Sequence, residues 1–150
     1  MKKTIIFLIV FSIFTSCLTN AHINPNEFGL IKTKLEIKEN NLILNVIVEH
    51  ELPKAENKTS LYETFNRNIE IINDNKRCTI IQIDPIWKSN STEFKISYKC
   101  KEKINNLSIK STFLINYFTY LEHYITIKNE TYFLDNENTQ IRIEIAGQKN

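Results

Sequence analysis

Apolar and polar residues alternate, position by position, through much of this sequence. Leu35 and Ile37 alternate with Lys34, Glu36 and Lys38; Leu42, Leu44, Val46 and Val48 share one side of the next run; Phe94, Ile96 and Tyr98 alternate with Lys95, Ser97 and Lys99. A period of two puts successive side chains on opposite faces of an extended strand. Each run therefore buries one face only and needs a second layer laid over it. Asn-rich clusters punctuate the runs, and Asn tolerates the left-handed backbone of tight hairpin turns. Leu30–Lys38 and Leu42–His50, flanking Glu39-Asn40-Asn41, read as a β-hairpin.

Further runs are expected at Ile69–Ile72, Cys78–Ile83, Phe94–Tyr98, Leu107–Leu114, Tyr120–Ile127, Thr131–Leu134 and Gln140–Ile145. Asp84-Pro85 is expected to end the strand that starts at Cys78, since proline cannot donate to a ladder. Only Thr59–Asn68 breaks the period. Ser60 followed by Glu63 resembles a capping box, and Leu61 and Phe65 stand one turn apart, which predicts a short helix. The fold class expected is mostly β: an antiparallel β-sandwich or barrel of about eight strands with one short helix. A chain of 150 residues with 42% hydrophobic content supports one core, and neither a repeat nor a linker divides it. With 2 glycines in all, collagen and Gly-rich phosphate loops are excluded.

The first residues read as an export leader. Lys2 and Lys3 precede the apolar run Thr4–Phe14, which is of signal-peptide length and shorter than the roughly 20 residues a membrane span needs. Two processing sites compete. Thr19-Asn20-Ala21 has signal-peptidase spacing, making residues 1–21 the signal peptide and 22–150 a single exported β domain. Phe14-Thr15-Ser16-Cys17 resembles a lipobox, with Cys17 as a possible lipidation site and membrane attachment following only from it. Phe14 stands where such motifs usually carry Leu, which favours Ala21. The expected location is periplasmic or associated with the cell envelope. Losing residues 1–21 removes two lysines from the 19 basic residues and leaves the 17 acidic ones untouched, so the mature domain is neutral. That excludes the electrostatic footprint of a nucleic-acid partner.

The cysteines agree with export. Besides Cys17 the chain has Cys78 and Cys100, and an even pair in an oxidising compartment reads as a disulfide. A hairpin built from the flanking strands puts the two opposite each other at its open end. The leader looks bacterial, so the sequons at Asn57, Asn90, Asn106 and Asn129 are read as products of an Asn-rich composition rather than glycan sites.

Catalytic signatures are missing: neither G-x-S-x-G, H-E-x-x-H, a P-loop nor a dinucleotide fingerprint occurs. A small secreted hydrolase is therefore disfavoured. The three histidines, His22, His50 and His123, raise one metal reading. Cleavage after Ala21 makes His22 the first residue, and a free amine with its own imidazole chelates copper or nickel; a second imidazole from His50 or His123 would complete a nitrogen-rich site. Against this stands the ordinary expectation for His50 and His123, surface or satisfied edge-strand histidines. Phe113, Tyr117, Phe118, Tyr120, Tyr124, Tyr132 and Phe133 concentrate aromatic area late in the chain, and core and edge packing is the expected use of it.

The Ala21-His22 junction, the strand ending Ser97-Tyr98-Lys99-Cys100, the Leu107-Ser108-Ile109 strand and the segment Phe113–Ile127 with His123 together resemble the extracytoplasmic β domain of HupE/UreJ-type accessory proteins. The resemblance spans residues 22–145. The sequence departs from that family in lacking membrane helices after the domain, so no transport role is carried over. What the resemblance implies is a free-standing form of the exported domain. The function expected is a small exported binding or accessory module with a protein or small-ligand partner at the envelope and no cofactor; the copper- or nickel-handling protein is the alternative. Intact-mass spectrometry of the mature protein tests the leader. The expected mass is that of residues 22–150, with an added copper equivalent retained only if His22 comes first; an acylated Cys17 start is the opposing result.

Overall fold

A computed structural model describes residues 28–54 and 57–145. The leader, Cys17, His22 and the segment up to residue 27 lie outside the described residues. Among the described residues the order is β1 (Phe28–Lys38), β2 (Asn41–Val48), α1 (Lys58–Asn68), β3 (Ile69–Asn73), β4 (Lys76–Arg77), β5 (Thr79–Trp87), β6 (Thr92–Lys99), β7 (Asn106–Ser111), β8 (Tyr120–Ile127), β9 (Glu130–Leu134) and β10 (Gln140–Glu144). They form two sheets, one ordered β5-β6-β2-β1-β8-β9 and the other β10-β7-β3-β4. The sheets are separate, which resolves the sandwich-or-barrel alternative in favour of a sandwich-like arrangement.

The alternation does what its period requires. In β2, Leu42, Leu44, Val46 and Val48 are buried; in β6 the buried set is Thr92, Phe94, Ile96 and Tyr98, and in β8 it is Leu121, His123, Ile125 and Ile127. Ile69 and Ile71 of β3 and Leu107 and Ile109 of β7 join them from the other sheet in one continuous core. The predicted hairpin forms with Leu35 opposite Leu44 and Ile37 opposite Leu42, around Glu39 at φ 57°. Helix α1 links the two sheets and lays Leu61 and Phe65 into the core. The Phe65 ring lies 4.8 Å from that of Phe94 and 4.7 Å from that of Phe113.

Several expectations need correction. The helix is capped by Asn57, whose Oδ1 accepts from the Ser60 amide at 2.8 Å, so Ser60 sits inside the first turn and is not the cap. Strand β5 runs through Pro85 to Trp87; it is an edge strand, where a missing donor costs no ladder bond on the open side. Its register slips between Ile80 and Gln82, a bulge that turns Ile81 outward. Strand β7 stops at Ser111, short of Leu114, whose φ of 64° belongs to a turn. There are ten described strands, the extra ones being short. One pairing is also not antiparallel: β1 runs parallel to β8, with Ile31 opposite His123 and Thr33 opposite Ile125.

Cys78 and Cys100 are joined in a disulfide with Cα atoms 4.3 Å apart. Cys78 is the single residue between β4 in one sheet and β5 in the other. Its amide donates to Ile71 O at 2.8 Å, while the Cys100 amide donates to Asn40 O at 2.9 Å. Asn73, buried at the end of β3, fixes the β6–β7 connection by donating Nδ2 to Lys103 O at 3.1 Å and accepting from the Asn105 amide at 3.1 Å. No helix of the described residues is long and apolar enough to cross a membrane.

The parallel seam relies on Gly29. A Cβ placed there would stand 2.3 Å from Phe118 Cδ2 and 2.4 Å from its Cγ, and the Phe118 ring is itself buried. Gly29→Ala is expected to destabilise the fold by about 1–3 kcal/mol through overpacking. Adding Phe118→Leu should recover part of that loss. Urea unfolding of the two single variants and the double variant checks the coupling, and simple additivity would refute the contact.

Candidate functional site

Solvent-facing residues of β3, β7 and β10, with the turn after β3, build a concavity on the four-stranded sheet. Register sets their order: Arg142 stands opposite Ser108 and Ser108 opposite Ile72, while Glu144 stands opposite Asn106. Together with Asp74 and Gln140 these side chains line a concavity of about 550 Å³. Its polar groups hold one another in place. Asn106 Nδ2 donates to Asp74 Oδ1 at 2.7 Å, Asn105 Nδ2 donates to Asp74 Oδ2 at 3.1 Å, and Gln140 Nε2 donates to Ser108 Oγ at 2.7 Å. Those amides, Asn106 first and then Asn105, hold the Asp74 carboxyl below the ordinary carboxylate range. The Arg142 side chain is exposed and makes no hydrogen bond or ion pair among the described residues.

Among the described residues the lining of this concavity offers the Arg142 guanidinium, the carboxylates of Asp74 and Glu144, and amide donors; Asp74 and Asn75 sit in the turn between β3 and β4, and the other polar groups on β7 and β10. Among the described residues of its lining Ser108 supplies the one hydroxyl, which accepts from the Gln140 amide, and no imidazole stands beside it.

The residues singled out in the sequence fall elsewhere. His123 is buried in β8, an interior strand between β1 and β9, and not at a surface or edge position. Its Nε2 lies 2.8 Å from Thr33 Oγ1 across the parallel seam. Burial pushes its pKa down to about 4. His50 follows β2 and packs edge-on against Phe118 at 5.4 Å and Tyr117 at 6.0 Å between ring centroids. Among the described residues no three His, Cys, Asp or Glu side chains gather as a metal-ligand set. His22 and Cys17 lie outside the described residues.

The late aromatics separate into distinct groups instead of lining one cleft. Phe113 joins Phe65 and Phe94 in the core, and Tyr117 and Phe118 meet at 4.8 Å beside His50. Tyr124 and Phe133 pair at 5.3 Å on the six-stranded sheet, and Tyr120 projects with 67% of its surface exposed. The concavity itself went unread in the sequence. Ser108, Gln140 and Arg142 occupy the outward positions of two runs that are distant in sequence, and only their register makes them neighbours. Comparison with known proteins adds no assignment: no family model matches the chain, and a search of curated proteins finds no match.

The Thr33–His123 pair gives stability a pH dependence with a defined sign. The folded state resists protonation of His123 until about pH 4, whereas an unfolded histidine takes its proton near its ordinary 6.5. Between those values the unfolded chain binds more protons, so stability falls as pH drops through that window. The expected loss is about 3 kcal/mol from pH 7 to pH 4. In the Thr33→Val/His123→Leu double variant, which removes both polar partners, that component should vanish from urea midpoints measured across the range. An unchanged slope would refute the assignment to His123.

Proposed function

We propose that this chain is a small exported binding or accessory module of the cell envelope, with the solvent face of the four-stranded sheet as its binding face. The observation that carries the reading is the concavity of about 550 Å³, in which Arg142, Asn106 and Gln140 on the paired strands β7 and β10, and Asp74 in the turn after β3, present charge and hydrogen-bonding groups. Polar groups fixed before a ligand arrives lose little freedom on binding.

Support for export comes from two sides. Lys2 and Lys3 followed by Thr4–Phe14 have the layout of a leader, and the Cys78–Cys100 disulfide suits an oxidising compartment. The resemblance to the extracytoplasmic domain of HupE/UreJ-type accessory proteins belongs to the same proposal.

Expression of the full chain in a Gram-negative host, followed by fractionation and thiol labelling, tests the compartment. The expected result is an envelope fraction in which Cys78 and Cys100 resist maleimide until reduced. A cytosolic protein with both thiols labelled would overturn the proposal. For the binding face, a thermal-shift screen against amino acids, dipeptides and monosaccharides should find a compound that raises the wild-type midpoint, with the shift lost in Arg142→Ala.

A further inference from the structure

The three arginines of the chain, Arg67, Arg77 and Arg142, all lie on or beside the solvent face of the four-stranded sheet. Two of them, with Lys110, line a second concavity of about 250 Å³ bounded by the last turn of α1, β3, β4 and β7. Glu70 is the one carboxylate in its lining. Three cations against one acid is a local imbalance in a domain whose mature charges otherwise cancel.

A helix C-terminus ordinarily disfavours an anion, because its last carbonyl oxygens carry the negative end of the helix dipole. Here several of those oxygens are occupied. Arg77 Nη2 donates to Asn66 O at 2.6 Å, and Asn68 O accepts from the Thr112 amide at 2.8 Å and from Thr112 Oγ1 at 3.4 Å. Arg77 is thereby held in place with donors to spare. Its Nη1 lies 3.9 Å from Glu70 Oε1, at the outer limit of an ion pair, with both side chains substantially exposed. Lys110 stands opposite Glu70 in the β3–β7 register, yet neither the Lys110 nor the Arg67 side chain forms an ion pair or hydrogen bond among the described residues. Two unpaired cations and one fixed guanidinium facing one concavity repel one another until an anion sits between them.

We propose that this concavity binds a phosphate group. Guanidinium forks match the oxygens of phosphate in pairs, and a lysine adds a point charge. Arg77 is the pre-positioned donor, Arg67 and Lys110 close on the ligand, and Glu70 is the internal competitor that the phosphate displaces. The phosphate comes either free in solution or as the exposed headgroup of an anionic lipid. The site is separate from the Arg142 concavity, and its test on purified protein is independent of export.

The experiment titrates the disulfide-intact protein with inorganic phosphate by calorimetry at constant ionic strength. In parallel it measures cosedimentation with phosphatidylcholine vesicles, with and without phosphatidic acid. Arg67→Gln/Lys110→Gln, both exposed positions, is expected to weaken binding by about tenfold or more. Glu70→Gln should strengthen it several-fold, an effect that a merely structural role would not produce. Lys95→Gln, an exposed lysine on the other sheet, should change nothing. Phosphate binding with this pattern identifies a free-anion site; vesicle binding alone with the same pattern identifies a headgroup site. Binding in neither arm, or binding that the Arg67/Lys110 variant leaves intact, overturns the proposal.

Discussion

The chain changes sheets across one residue, and that residue is covalently tied. Cys78 separates β4 from β5, so the two layers meet at a corner with no loop to absorb error. The disulfide to Cys100 fastens that corner to the end of β6, while the two cysteine amides reach Ile71 in the four-stranded sheet and Asn40 in the β1–β2 turn. Closing a loop over a sequence separation of 22 restricts the unfolded chain by about 3 kcal/mol in the loop-entropy picture. Its positional effect matters as much. Arg77 is the chain neighbour of Cys78, so the staple that joins the layers also sets the guanidinium that caps α1 and faces the smaller concavity.

A second constraint lies on the opposite side of the six-stranded sheet. The parallel seam of β1 and β8 brings residues about ninety positions apart into register. It is tolerated because Gly29 leaves room for the Phe118 ring and because Thr33 satisfies the buried His123. Both are local solutions to one problem, the docking of a late strand beside an early one with its inner face fully buried.

Most of the strand content was legible because alternation reports directly on one-sided burial. Leu42 through Val48 and Leu121 through Ile127 follow it without exception. Where the reading erred, a tertiary fact intervened. Pro85 is accommodated because β5 happens to be an edge, and the helix starts at Asn57 because an Asn side chain caps as well as the Ser three residues on. Cys78 and Cys100 could be paired from strand geometry, since both flank one hairpin. The concavities could not be read in this way. Arg77, Lys110 and Arg142 each look like ordinary solvated residues in sequence, and only cross-strand register places them around shared hollows. His123 drew notice as a possible ligand for the same reason in reverse: sequence shows an imidazole but not the Thr33 hydroxyl that occupies it.

The β1–β8 pairing also orders events on a chain made from its N-terminus. The β1–β2 hairpin can close as soon as residue 48 exists, but the far edge of β1 stays bare until residues 120–127 have been made. An early strand that waits for a late partner gives high contact order and an interval in which unpaired backbone is open to other chains. Nascent protein that ends before β8 therefore carries an unpaired β1 edge, the kind of template on which other chains pair.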